Sequence, residues 1–303
     1  MRRSAMAALA VLLLVPAADA NTVVWVPAPQ LAPVGLYGQM AAGDLDGDGD
    51  DDIADFCYLR AYWNAGGCPG PVVWQVQEGL FPNLGSCREN SGTWGDVDAD
   101  GDLDLVYACI ESPSFRVIWN VGSPQAPVWE YGGAIPGDSW DFHYGKAYLC
   151  EIDADGDLDI MGTSGGLDVN IWENTGTPAA PYWTYLGVVP NVRIDTVDGS
   201  LSHGDLDGDG DLDIVGGNGT SRVKCWENVG TPQVWSYVRN DAMLTGVTAP
   251  MDGTWGVALP DVDCDGDPDL VVAGWTSVYL YLNERITPVQ PGSWGMIKAL
   301  YRP

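Results

Sequence analysis

Positive charge is scarce in this chain. Its 303 residues carry 13 Lys plus Arg against 42 Asp plus Glu, a formal net charge of −29. That balance leaves no basic face for phosphates and excludes sequence-independent nucleic-acid binding. Histidine is rarer still, with only His143 and His203. No G-x-S-x-G elbow, H-E-x-x-H zinc helix or phosphate-binding glycine loop is present. The seven cysteines include no C-x-x-C pair, which argues against zinc. No segment has sustained helical periodicity. Beyond residue 20 no apolar run approaches the roughly 20 residues that a membrane-spanning helix needs, so no transmembrane span is expected. Apolar and aromatic residues are plentiful, however. A hydrophobic content of 46%, with 14 Trp and 13 Tyr, excludes wholesale disorder.

Residues 1–20 read as a signal peptide. Arg2 and Arg3 form a basic start, Ala7 to Pro16 is a short apolar run, and Ala18-Asp19-Ala20 supplies a small-x-small cleavage pattern. The expected mature start is Asn21, and the protein is expected to be secreted: extracellular, periplasmic or at the cell surface. Calcium and disulfides are both plausible there.

The acids are not spread evenly. Five nine-residue windows hold 26 of the 42, beginning at Asp44, Asp96, Glu151, Asp205 and Asp261, with steps of 52, 55, 54 and 56 residues. Each window is followed 20 to 24 residues later by an Asn (Asn64, Asn120, Asn174, Asn228, Asn283). A Trp follows each Asn after a further 7 to 11 residues: Trp74, Trp129, Trp183, Trp235 and Trp294. Short β-branched runs such as Asp104-Leu105-Val106-Tyr107 follow each window. Alternating segments such as Val128-Trp129-Glu130-Tyr131 carry the Trp, and Asn-x-Gly-Thr-Pro supplies turns. Four strands in about 54 residues, repeated five times, predict an all-β chain: a β-propeller of four-stranded blades. At the ends, Asn21 to Pro27 (NTVVWVP) and the segment around Trp294 compete for the same fourth-strand place. Either the N-terminal strand closes the ring or the ring is incomplete.

Each window has the chemistry of a cation loop. Carboxylates at positions 1, 3, 5 and 9 can converge when the chain curls, a glycine at position 6 permits the sharp turn, and position 7 can offer its carbonyl. The candidate metal residues, with position 7 included, are Asp44, Asp46, Asp48, Asp50 and Asp52; Asp96, Asp98, Asp100, Asp102 and Asp104; Glu151, Asp153, Asp155, Asp157 and Asp159; Asp205, Asp207, Asp209, Asp211 and Asp213; and Asp261, Asp263, Asp265, Asp267 and Asp269. Dense hard oxygens select calcium over zinc or copper, and over magnesium, which keeps its waters. Up to five Ca2+ ions are expected. These are not EF-hand loops, because position 12 is Asp55, Tyr107, Gly162, Gly216 or Val272 rather than Glu.

These loops, their spacing and the Asp-Leu-Asp-Ile-Val and Trp-x-Asn-x-Gly motifs resemble FG-GAP-like (VCBS) repeats, found in propellers related to the integrin α-chain N-terminal domain. The resemblance spans roughly residues 30 to 300. It implies a calcium-stabilised propeller with ions held between the first two strands of the blades. The family's ligands fall on Asp44, Asp46, Asp48 and Asp52 and on the matching four in each later window. The Phe-Gly and Gly-Ala-Pro signatures of integrins are not evident, so integrin-like ligand binding is not implied. Members more often have seven blades than five.

Nothing else suggests catalysis. His203 precedes the fourth window and reads as a strand residue, whereas His143 lies in a departure from the repeat, Trp140 to Lys146. In-phase Trp residues read as packing between blades, while Trp140 and Trp275 are better candidates for stacking on sugar. The expected function is a binding or adhesion module for a protein or glycan ligand, and no enzyme activity is expected. The alternatives are a lectin or, further off, a polysaccharide lyase. Among the cysteines, Cys57 and Cys68 flank an apparent hairpin and are the first expected pair. Cys225, which stands where other repeats have Ile, is expected to be a buried free thiol.

Overall fold

A computed structural model describes residues 23–284 apart from 29–38, 57–58, 69–70, 80, 82–90, 109–114, 136–145, 154, 164–166, 195–199, 218–221, 232–233, 249–252 and 275. The expected signal peptide, Trp140, His143, Trp275, Trp294, Cys57, Cys87 and Cys109 lie outside the described residues. The described chain forms five four-stranded antiparallel sheets. The first blade is β2 (Met40–Gly43), β3 (Asp52–Asp55), β4 (Arg60–Asn64) and β5 (Trp74–Glu78). The second is β6 (Ser91–Gly95), β7 (Asp104–Ala108), β8 (Phe115–Asn120) and β9 (Trp129–Ala134). The third is β10 (Lys146–Cys150), β11 (Asp159–Thr163), β12 (Asp168–Asn174) and β13 (Trp183–Arg193). The fourth is β14 (Leu201–Gly204), β15 (Asp213–Gly217), β16 (Val223–Asn228) and β17 (Tyr237–Arg239). A short 3-10 helix (Asp241–Leu244) then leads to β18 (Gly256–Ala258), β19 (Leu270–Ala273) and β20 (Val278–Asn283) of the fifth. The fold is an all-β propeller, as the repeats predict. Among the described residues no helix is long and apolar enough to cross a membrane.

The N-terminal strand settles the closure question. β1 (Trp25–Pro27) pairs antiparallel with β20, Trp25 lying opposite Asn283, and so becomes the fourth strand of the last blade. The place for which Trp294 competed is thus held by Trp25. The last blade therefore takes strands from both ends of the described chain, and the ring closes without an added blade. The same register corrects one repeat assignment. Asn64, Asn120 and Asn174 face Trp74, Trp129 and Trp183, but Asn228 faces Tyr237, so Tyr237 and not Trp235 is the fourth-strand aromatic of the fourth blade.

The apolar core lies between blades. Ala41, Ala54 and Phe56 of the first blade pack with Trp94, Leu105 and Tyr107 of the second. Similar clusters fill the next three interfaces. Met40, Ile53 and Tyr62 meet Ala258, Val271 and Leu280 across the closing one. The blades stack because each sheet is apolar on both faces, a pattern that only a neighbouring sheet can bury. In-phase Trp residues are part of this packing: Trp172 and Trp183 are almost fully buried. Near the start of the inner strands, the Gln39 side chain donates to the Ala147 carbonyl (2.6 Å) and accepts from the Ser91 hydroxyl, joining the first three blades.

One disulfide is present among the described residues, and it is not the expected one. Cys68 pairs with Cys264, 196 residues away, with Cα atoms 5.6 Å apart. The expected Cys57–Cys68 pair is excluded because ring closure places the fifth acidic loop beside the first β4–β5 hairpin. Cys225 is a buried free thiol, as expected, and so is Cys150.

Candidate metal centre

Each acidic window joins the first and second strands of a blade. The curl is fixed by backbone geometry at position 6, where Gly49, Gly101, Gly156, Gly210 and Gly266 have φ between 96° and 100°. That region is open to glycine and strained for other residues. Position 1 then collects backbone donors. Asp44 accepts from the N–H groups of Gly47, Asp48 and Gly49 at 2.8 to 3.0 Å. Asp205 accepts from Gly208 and Gly210, Asp96 from Asp100 and Gly101, Glu151 from Gly156 and Asp261 from Gly266.

Position 9 also ties the backbone. Asp52, Asp104, Asp159, Asp213 and Asp269 open or immediately precede the second strand and are at most 1% exposed. One carboxylate oxygen of each accepts from the position-2 N–H, as in Leu45 N–H to Asp52 (2.9 Å) and Leu206 N–H to Asp213 (3.1 Å). The other accepts from the N–H of the repeat's Asn, at 2.7 to 2.9 Å in all five blades. That Asn in turn staples the next hairpin. Asn120 Oδ1 accepts from Gly122 and Val128, and Asn174 and Asn228 repeat the arrangement. In the sequence this Asp and Asn recur 12 to 16 residues apart, a spacing that does not by itself reveal the backbone tie.

The carboxylates converge. Ligand atoms lie within 4.8 Å of one another for Asp44, Asp46 and Asp48; Asp96, Asp98 and Asp104; Glu151, Asp153 and Asp159; Asp205, Asp207 and Asp209; and Asp261, Asp263 and Asp265. Positions 1, 3, 5 and 9 are thus brought together in different triplets. None of the triplets includes position 7, represented by Asp50, Asp102, Asp157, Asp211 and Asp267. Loss of water pushes the position-9 carboxyls up to about 8 in every loop, with neighbouring acids adding to the rise. Burial also raises Asp44, Asp46, Asp96 and Asp98. Buried oxygens of Asp98 and Asp157 have no hydrogen-bond partner. Close-set carboxylates with unsatisfied oxygens fit a hard divalent cation.

The sequence comparison agrees with this geometry. A family model described as an FG-GAP-like repeat matches residues 205–272, which hold the fourth and fifth acidic loops. The chain is a five-bladed propeller, and its fourth and fifth acidic loops lie in an FG-GAP-like repeat segment. No curated protein matches this chain in sequence. Among solved structures, a Photorhabdus luminescens Tc holotoxin pore aligns at 18% identity and TM-score 0.41, over 90% of this chain and 13% of that one. The catalytic domain of a Coprinopsis cinerea GH62 α-L-arabinofuranosidase aligns at 10% identity and TM-score 0.48, over 87% of this chain and 98% of that one. A mutant of AofleA from Arthrobotrys oligospora aligns at 13% identity and TM-score 0.45, over 89% of each chain. The chain thus spans about an eighth of the toxin's length, and none of these likenesses bears on function.

His203 sits in β14 with its Nε2 2.8 Å from the Leu149 carbonyl, joining two inner strands. Burial lowers its pKa, which favours the neutral ring. It is a strand residue, as its sequence position suggests.

Proposed function

We propose that this chain is a secreted, calcium-stabilised propeller that serves as a binding or adhesion module for a protein or glycan, and that it is not an enzyme. The observation that supports this reading is the repetition of one site. In every blade three carboxylates converge within 4.8 Å on a glycine-turned loop. In the first loop Asp44, Asp46, Asp48 and Asp52 would hold the ion, and the matching positions would do so in the other four. At an effective dielectric near 20, two carboxylates about 4 Å apart repel by roughly 4 kcal/mol. A bound calcium ion would supply the positive charge that turns this repulsion into attraction. The chain's own groups do the positioning: backbone N–H groups hold positions 1 and 9, and the repeat's Asn fixes the position-9 acid to the third strand. Export, read from residues 1–20, would place the loops where calcium is abundant.

Thermal melts in calcium and in chelator test the metal reading. Saturation at about 100 times the dissociation constant stabilises by about 2.7 kcal/mol per site. An unchanged melting temperature would sink the proposal. N-terminal sequencing of the exported protein should begin at Asn21. Turnover of an acidic polysaccharide would overturn the non-enzymatic reading.

A further inference from the structure

The seam between the fifth and first blades is built differently from the others. Three ties meet there on the face that carries the acidic loops. Asn64 Nδ2 donates to the Val262 carbonyl (2.8 Å), a contact that Asn283 repeats on Leu206 at the neighbouring seam. The other two ties use residues that no other repeat has in those places. Position 8 is Leu or Pro in four loops but Asp51 in the first, and Asp51 Oδ2 accepts from the Asp261 N–H at 2.8 Å. Position 4 is Gly or Ala in four loops but Cys264 in the fifth, where it carries the disulfide to Cys68. Position 4 is left-handed in every loop where it is described, with φ of 76° at Gly47, 58° at Ala99, 78° at Gly208 and 60° at Cys264. A non-glycine residue holds that conformation at a cost, and a cross-link to the next blade removes competing conformers.

We propose that the Cys68–Cys264 disulfide is a redox-sensitive clasp that locks the ring seam and sets the cation affinity of the fifth loop. Cys68 is exposed and Cys264 half-buried, so a reductant can reach the bond. A dithiol would act by thiolate attack on Cys68 Sγ, with Cys264 leaving as thiolate. The second reagent thiol then displaces the mixed disulfide and frees Cys68. The protein gains two electrons and two protons, and the dithiol becomes a disulfide. With the clasp open, the fifth loop loses its covalent hold on the first blade, and the pairing of β1 with β20 is left to hold the last blade to the start of the chain. The affinity half of this inference rests on the calcium reading above; the seam half does not.

Hydrogen exchange read by mass spectrometry tests both halves on the full chain. Three samples are compared: oxidised, dithiol-treated and Cys68→Ser, each in chelator and in stepped calcium. In chelator, opening the clasp should speed exchange about tenfold in residues 23–27 and 261–269 and leave 205–213 unchanged. In calcium, half-protection of 261–269 should need about tenfold more ion once the clasp is open. Equal exchange before and after reduction, or a peptide map without a Cys68–Cys264 link, overturns the clasp. Calcium that protects 205–213 in all samples, with the same dependence at 261–269, overturns the affinity half. Calcium that protects no loop overturns the calcium reading itself, and the comparison in chelator still decides the seam.

Discussion

Raising the pH should destabilise the ion-free ring and leave the calcium-loaded ring nearly unchanged. The cause lies at position 9. Asp52, Asp104, Asp159, Asp213 and Asp269 are buried, and loss of water lifts each carboxyl from an ordinary value of 3.8 to about 8. A folded carboxyl that binds its proton more tightly than the unfolded one contributes stability that is complete below the unfolded pKa. That contribution fades as pH climbs to the folded pKa. The window here runs from about pH 4 to about pH 8. A folded value one pH unit above the unfolded value is worth about 1.4 kcal/mol. If only that much survives at each of five loops, the loss is about 7 kcal/mol, comparable with the 5–15 kcal/mol stability of a typical domain. For a ring of this size that is a fall of roughly 15 to 25 °C in melting temperature. Calcium competes with the proton for the same oxygens and prefers the ionised loop, so it should remove most of the slope. The assay is circular-dichroism melting from pH 4.5 to 8.5 in chelator and in calcium. A chelator curve that is flat, or that rises with pH, would refute the reasoning, because the buried acids would then be neither protonated nor a burden.

Other substitutions separate the roles of the acids. Asp213→Ala strands the buried N–H groups of Leu206 and Asn228, at roughly 1–3 kcal/mol each, whereas Asp102→Ala at position 7 should stay within about 0.5 kcal/mol; urea titrations of the two variants give the comparison, and equal losses would contradict it. Gly101→Ala meets nothing within 4 Å but must hold a φ of 100°, so its cost of about 1–2 kcal/mol should come from backbone conformation alone and should reappear as weaker calcium binding in calorimetry. Cys68→Ser releases a cross-link over 196 residues, which chain entropy values at about 5 kcal/mol at most, and guanidinium unfolding with and without reductant should show wild type falling to the variant's level.

Much of the fold was legible because the repeat writes the same instruction five times. The acidic window, the Asn and the aromatic appear in fixed order, and each marks a strand boundary in the structure. What stayed hidden needed three dimensions. NTVVWVP looked like a fourth strand, yet only the pairing of Trp25 with Asn283 shows which end of the chain completes the last blade. Anchoring on Trp235 missed Tyr237 because a two-residue displacement preserves the aromatic character of the segment. Tyr237 donates its hydroxyl to Leu212 just as Trp183 donates its ring N–H to Leu158. Pairing Cys57 with Cys68 followed nearness in sequence, but a closed ring makes the first and last repeats neighbours. The usable signal was Cys264 itself, the one cysteine among five position-4 residues.

The loops also bear on the ring as a whole through one residue. In each loop the position-2 N–H is held by the position-9 carboxylate of its own blade, as Val262 is by Asp269. The carbonyl of that same residue faces the following blade: Val262 accepts from Asn64, Leu206 from Asn283 and Ile152 from Trp235. A cation that draws in the position-9 acid therefore tightens the group that carries the hydrogen bond to the next blade. In an open array such nearest-neighbour ties would let end repeats fray. Here β1 and the disulfide join the first and last blades, so a loosened loop weakens two interfaces with no end blade to absorb the change. Ion binding at five local sites should then be read out as a single unfolding transition. One cooperative melt in calcium is the behaviour this linkage requires, and a melt that separates into blade-sized steps there would contradict it.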